Sequence, residues 1–143
     1  MTVLYLDTSA VIPYYRPEQA SNAVQRLLLG AKTPVTISAL VEVEVASALA
    51  RLVRMRELDE RSAKLIASAF TEDMAAGRFI VHALTSAHFA LARNWLLGSK
   101  TLLRTLDALH LACASVCEAR LVTLDRVLAG AGKKLGVPVT LVK

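Results

Sequence analysis

Acidic side chains stand in this 143-residue chain where water should be scarce. Asp7 closes the apolar run Tyr5-Leu6-Asp7, and Asp125 closes Val122-Thr123-Leu124-Asp125. Asp107 interrupts Leu106-Asp107-Ala108-Leu109-His110-Leu111-Ala112, and Glu42 and Glu44 interrupt Ala39-Leu40-Val41-Glu42-Val43-Glu44-Val45. A carboxylate is costly to desolvate unless hydrogen bonds, an opposite charge or a metal ion compensates it. One hard divalent cation would account for all of these acids together, because such ions take oxygen ligands. A plainer reading exists for Asp7 and Asp125, each of which precedes a helix and suits its N-cap. It does not extend to Asp107, which falls inside the first turn of its helix.

The glutamates cannot be separated by pattern. At 100° per residue, the stripe Val41, Val45, Ala48, Leu52 centres nearer Glu44, while adding Leu49 and Val53 moves the centre toward Glu42. Other constellations carry less. His110, Cys113 and Cys117 share a helix face, but structural zinc sites draw four ligands from two separated pairs, so core packing is the better reading. His110 would then steady the neighbourhood of Asp107. Gly130-x-Gly132-Lys133-Lys134 lacks the spacing and the Ser or Thr of a phosphate loop and reads as a frayed, solvated helix segment. His82 and His88 have no triad partners, and no Gly-x-Ser-x-Gly elbow occurs. A dehalogenase-type phosphatase would need a second aspartate where Ser9 stands. Ser9 and Thr123 could hydrogen-bond an acid, although capping and strand roles suffice for them.

The elements that would position these acids follow from periodicity and punctuation. Strands are expected at 2–6, 35–38, 79–82, 121–124 and 139–142, each a short apolar or β-branched run. Between them fall helical segments: one after Asp7, capped by Thr8 or Ser9 and interrupted by Pro13 and Pro17, then 18–29, stopped by Gly30. Further helices run over 39–56, from the Asp59 cap to 76, over 85–97 and 105–118, and from 125 to about 135. Strands separated by helices of this length imply an α/β fold, a mostly parallel central sheet with helices on both faces. In such sheets the functional crevice lies beyond the carboxyl ends of the strands, where Asp7 and Asp125 fall. Residues 1–143 read as a single domain, without repeats or linkers.

Composition bounds the class. The apolar fraction of 55% with 20% charged residues describes a globular chain, and no apolar run is long enough to span a membrane. No signal peptide is read at the N-terminus. Seventeen basic residues against 12 acids give a net charge of +5, which favours a polyanionic partner. Arg16, Lys100, Arg104 and Arg126 lie nearest the acidic motifs and are the candidates for phosphate contacts, whereas Arg51, Arg54 and Arg56 suit a helix C-terminus. Two cysteines four residues apart make no disulfide framework, which fits a reducing cytoplasm.

The set Leu6-Asp7-Thr8-Ser9, Ser38-x5-Glu44, Leu106-Asp107-Ala108-Leu109-His110-Leu111-Ala112 and Leu124-Asp125-Arg126-x-Leu128 resembles the PIN-domain family. Within that family the chain looks like a VapC-type toxin of a toxin–antitoxin pair, over nearly its whole length. The resemblance implies a PIN-like α/β domain with a parallel sheet and an Mg2+- or Mn2+-dependent endoribonuclease site. It carries the family's acids to Asp7, Glu44, Asp107 and Asp125, with Glu44 favoured over Glu42 by its distance from Ser38. It further implies an RNA substrate, a cognate antitoxin and a homodimer, for which the apolar helices from Ala39 to Ala76 are the candidate interface. The rival is a non-catalytic PIN-fold binding protein whose acids hold a structural ion or a regulatory partner.

Overall fold

Adjacent residues of a strand point to opposite faces of its sheet, and that period sets the layers here. The computed structural model describes residues 2–98 and 101–143. The strands are β1 (Leu4–Leu6), β2 (Val35–Ser38), β3 (Phe79–His82), β4 (Arg120–Thr123) and β5 (Val139–Leu141). The helices are α1 (Thr8–Tyr15), α2 (Ser21–Gly30), α3 (Ala39–Arg54), α4 (Glu60–Ala75), α5 (Ser86–Gly98), α6 (Thr105–Val116) and α7 (Arg126–Lys134). All strands pair in parallel in the order β3-β2-β1-β4-β5. The register sets Tyr5 opposite Leu121 and Leu6 opposite Val122.

Leu6 and Val122 join Val35 and Ile37 in a core closed by Val11 of α1, Val24 of α2, Val41 and Val45 of α3, and Phe70 of α4. Tyr5 and Leu121 face the other way, against Leu111 and Cys113 of α6 and Leu128 and Ala131 of α7. Both faces are therefore covered, as near-continuous apolar strands require. The order in which strands are added reverses at β1, running outward through β2 and β3 on one side and through β4 and β5 on the other, so the crevice beyond the carboxyl ends of β1 and β4 is the switch point of the sheet. Among the described residues no helix is long and apolar enough to cross a membrane.

Several local expectations are corrected. Asp7 caps α1, as its place before the helix suggests, its carboxylate accepting from the Ala10 N–H, whereas Thr8 and Ser9 are the first helical residues and not the cap. Pro13 does not interrupt α1 but lies buried within it, so only one ladder bond is forgone; the helix ends before Pro17, where Arg16 is extended. α2 begins at Ser21 rather than Glu18, because the Ser21 hydroxyl takes the Glu18 N–H and donates to the Arg16 carbonyl, forming a turn. β4 ends at Thr123, which leaves Leu124 between the strand and Asp125. The glycines of α7 are not frayed: a Cβ on Gly132 would stand 2.6 Å from Val139 Cγ2 and 3.1 Å from Leu111 Cδ2. That glycine lets α7 approach β5 and α6. Asp59 caps α4 as expected, accepting from the Ser62 N–H at 2.7 Å.

Candidate acidic site at the carboxyl edge of the sheet

Asp7 follows β1 directly, and β1 lies at the centre of the sheet between β2 and β4. Only 4% of its surface is exposed. Its carboxylate is satisfied from three directions. Ser9 Oγ donates to Oδ1 at 2.7 Å, the Ala10 N–H donates to the same oxygen at 3.1 Å, and Thr123 Oγ1 donates to Oδ2 at 2.6 Å. Burial nonetheless pushes the Asp7 carboxyl above its ordinary range, against the pull of those hydroxyls and of nearby His110.

Asp125 caps α7, its Oδ1 accepting from the Val127 and Leu128 N–H groups. Its own N–H donates to Thr123 Oγ1 at 3.0 Å, so one hydroxyl joins the Asp7 and Asp125 segments. Ser9 adds a second tie, accepting from the Leu124 N–H at 2.9 Å. Asp107, half-buried in the first turn of α6, has its carboxyl held above its ordinary range by burial and then by repulsion from Asp125. Arg104 and His110 oppose that shift.

Glu44, not Glu42, is the glutamate of α3 that turns inward; Glu42 is exposed. Thr8 Oγ1 donates to Glu44 Oε1 at 2.8 Å, and His110 Nε2 lies 2.5 Å from the same oxygen. Burial opposes ionisation of Glu44, but the bonds from His110 and Thr8 outweigh it and hold the carboxyl below its ordinary range. His110, expected to steady Asp107, is thus bonded to Glu44 while remaining within electrostatic reach of Asp7 and Asp107. Its Nδ1 is taken by the Tyr5 hydroxyl at 2.8 Å. Both ring nitrogens are therefore spoken for, and Cys113 is buried in the apolar core, which disposes of the zinc reading. The Tyr5 hydroxyl is not singled out by the sequence, and Thr8 and Ser38 enter there only as cap and motif residues, since a hydroxyl on a strand or in a first helical turn carries no pattern that names its partner.

The four carboxylates are linked but not converged. Among the described residues no three His, Cys, Asp or Glu side chains stand close enough together to hold one ion. The donor chemistry nevertheless fits a hard cation: the acids and hydroxyls offer oxygen only, and Asp107 and Asp125 repel each other. Mg2+ keeps several waters and takes one or two carboxylates directly, so water-bridged acids match its habits.

The cations are dispersed. Arg104 flanks α6 and acts on Asp107 electrostatically. Arg126 opens α7 and is exposed, and Arg16 pairs with Glu18 at 3.6 Å beside a groove between α1 and α3. Lys100 lies outside the described residues. A separate cavity of about 360 Å³, lined in part by Tyr14, Lys32, Arg78 and Phe79, opens at the amino ends of β2 and β3, away from the acids.

Residues 4–134 match the PIN domain family. No curated protein matches the sequence. Among solved structures, the chain resembles FitAcB from Neisseria gonorrhoeae at 19% identity and a TM-score of 0.73, covering 96% of each chain. VapC20 from Mycobacterium tuberculosis, described as a sarcin-ricin loop cleaving toxin, is similar at 19% identity and a TM-score of 0.68, over 90% of this chain and 95% of that one. VapBC2 from Rickettsia felis, bound to a DNA fragment from its promoter, is similar at 14% identity and a TM-score of 0.70, over 99% and 100%. At these identities the likeness is one of fold.

Proposed function

The chain belongs to the PIN-domain family, and from that membership we propose that it is a metal-dependent endoribonuclease, the toxin of a type II toxin–antitoxin pair. The observation that carries the proposal is the acidic crevice itself: Asp7 and Asp125 tied through Thr123, and Asp107 raised in part by Asp125. Acids that repel one another at the switch point of a parallel sheet suit a bound cation better than a purely structural role.

Asp7, Glu44, Asp107 and Asp125 are the residues that would hold Mg2+ or Mn2+, directly or through water. When bound, such an ion supplies a water of lowered pKa and relieves charge on phosphate oxygens. The chain's own groups prepare the place for it. Ser9 and Thr123 fix the rotamer of Asp7, and Thr8 with His110 fixes Glu44. Arg104 and Arg126 flank Asp107 and Asp125 in sequence and are proposed, with Arg16 and Lys100, as contacts for RNA phosphates. No side chain need act as nucleophile.

The structural relatives include a toxin–antitoxin complex from Klebsiella pneumoniae, which supports a cognate antitoxin as partner. A groove of about 340 Å³, lined by Ile12, Ala48, Leu52 and Met55 with Arg16 and Arg51, suits an antitoxin tail with apolar anchors. An Arg or Lys from that tail would compete with the cation for the carboxylates. A homodimer is also proposed. Val43 and Leu65 are exposed on the 39–76 helices, as are Ile80, Phe89 and Leu97 on β3 and α5. A monomeric mass by light scattering at micromolar concentration would contradict the dimer. The function itself is tested by mapping cleavage sites on total RNA after induced expression, with new 5′ ends expected only where the four acids are intact.

A further inference from the structure

Tyr5 lies at the centre of the sheet, fully buried, yet its hydroxyl reaches polar groups on two other elements. It stands 2.9 Å from Ser38 Oγ, at the end of β2, and 2.8 Å from His110 Nδ1, on α6. On the other side of the imidazole, Nε2 meets Glu44 Oε1, the oxygen that Thr8 also reaches. One relay, Ser38 of β2 to Tyr5 of β1 to His110 of α6, and one direct bond from Thr8 of α1 thus end on the same carboxylate oxygen of α3. His110 is only 3% exposed and its ring tilts against that of Tyr5, with centroids 5.9 Å apart. The ring cannot turn without breaking a bond at each nitrogen.

A free glutamate side chain samples many rotamers, and that freedom must be lost before it can serve as a fixed ligand. Two bonds on Oε1 remove that freedom in advance. Because both fall on one oxygen, they also set the direction in which Oε2 points. We infer that His110, braced by Tyr5 and Ser38, is the positioning residue that aims Glu44 at the acidic crevice. The inference rests on the proposed reading of Glu44 as a cation-facing acid and adds the group that sets its aim. A side chain supporting a ligand from behind in this way commonly contributes tenfold or more to metal affinity.

The test is Mn2+ binding to the full chain, read from the free-ion signal by electron paramagnetic resonance, with RNA cleavage against Mn2+ concentration as a second readout. His110→Ala should weaken Mn2+ binding by roughly tenfold. His110→Gln, which can still donate to Glu44, should recover part of that loss. Tyr5→Phe, which removes only the brace and keeps the packing, should give a smaller loss. In a Glu44→Gln background His110→Ala should add nothing further, whereas a residue that merely packs would weaken both backgrounds equally. Equal losses in the two backgrounds, or unchanged Mn2+ affinity in His110→Ala, would overturn the inference alone. Unchanged affinity in Glu44→Gln would overturn the reading of Glu44 and the inference with it. Should His110→Ala fail to melt cooperatively, the His110→Gln and Tyr5→Phe measurements decide the same question.

Discussion

Thr123 Oγ1 donates to Asp7 Oδ2 at 2.6 Å, across the pairing of β4 with β1. Thr123 is fully buried, so this bond is among the few compensations available to a carboxylate cut off from water. Thr123→Val keeps the shape and removes the hydroxyl. It should destabilise the chain by about 1–3 kcal/mol, the range for leaving a buried polar group short of a partner. Thr123→Ser should be close to wild type. Urea unfolding of both variants in chelator checks this, and a Thr123→Val midpoint equal to wild type would contradict it.

The glutamates of α3 give a second prediction. Glu44→Gln should reduce metal-dependent cleavage by at least tenfold, while Glu42→Gln, on the exposed face, should leave it unchanged. Initial rates on one RNA at fixed Mn2+ suffice, and the reverse order would exclude Glu44 from the site.

A third concerns alkaline stability. Burial first, then a 2.6 Å hydrogen bond to Asp73 and that carboxylate's charge, push the Tyr15 phenol above its ordinary range. The unfolded chain loses this proton near pH 10, before the folded chain does. The contribution of Tyr15 is therefore intact below about pH 10 and is lost progressively above it. Urea midpoints at pH 9 and pH 11 should fall further for wild type than for Tyr15→Phe. Parallel falls would assign the alkaline loss to other groups.

Two glycines of α7 should respond with opposite signs. Nothing lies within 4 Å of a Cβ at Gly130, so Gly130→Ala should stabilise the helix by about 0.5–1 kcal/mol. Gly132→Ala would meet Val139 and Leu111 and should destabilise, overpacking costing about 1–3 kcal/mol against the same helical gain. Thermal melts of both variants decide it, and stabilisation by Gly132→Ala would show that α7 can move off β5.

The layered fold was legible because apolar strand runs and helix punctuation both survive in local sequence. That reading puts Asp7 and Asp125 beyond the carboxyl ends of their strands, and the pairing of β1 with β4 sets the two segments side by side, joined through Thr123. Where the reading fell short, the deciding contact was non-local. Helical projection ties Glu42 with Glu44; the tie is broken by Thr8 and by His110, 66 residues away. Sequence proximity points His110 toward Asp107, yet its ring crosses to α3 and reaches back to Tyr5, 105 residues away. Gly132 looked like loose helix because the side chain it makes room for belongs to β5. Pro13 looked like a break because its burial in the core is invisible to a rule about ladder bonds.

The central claim is that these acids hold a divalent cation that supports RNA cleavage, and Asp107→Asn probes it most directly. The structure gives Asp107 electrostatic repulsion from Asp125, which the substitution removes. The decisive measurement is the melting temperature of wild type and Asp107→Asn, each with chelator and with Mn2+, alongside cleavage of a single-stranded RNA. Wild type should be stabilised by Mn2+ and cleave. Asp107→Asn should melt at or above wild type in chelator, gain little from Mn2+, and lose cleavage. An Asp107→Asn protein that kept both the Mn2+ stabilisation and the cleavage would contradict the account.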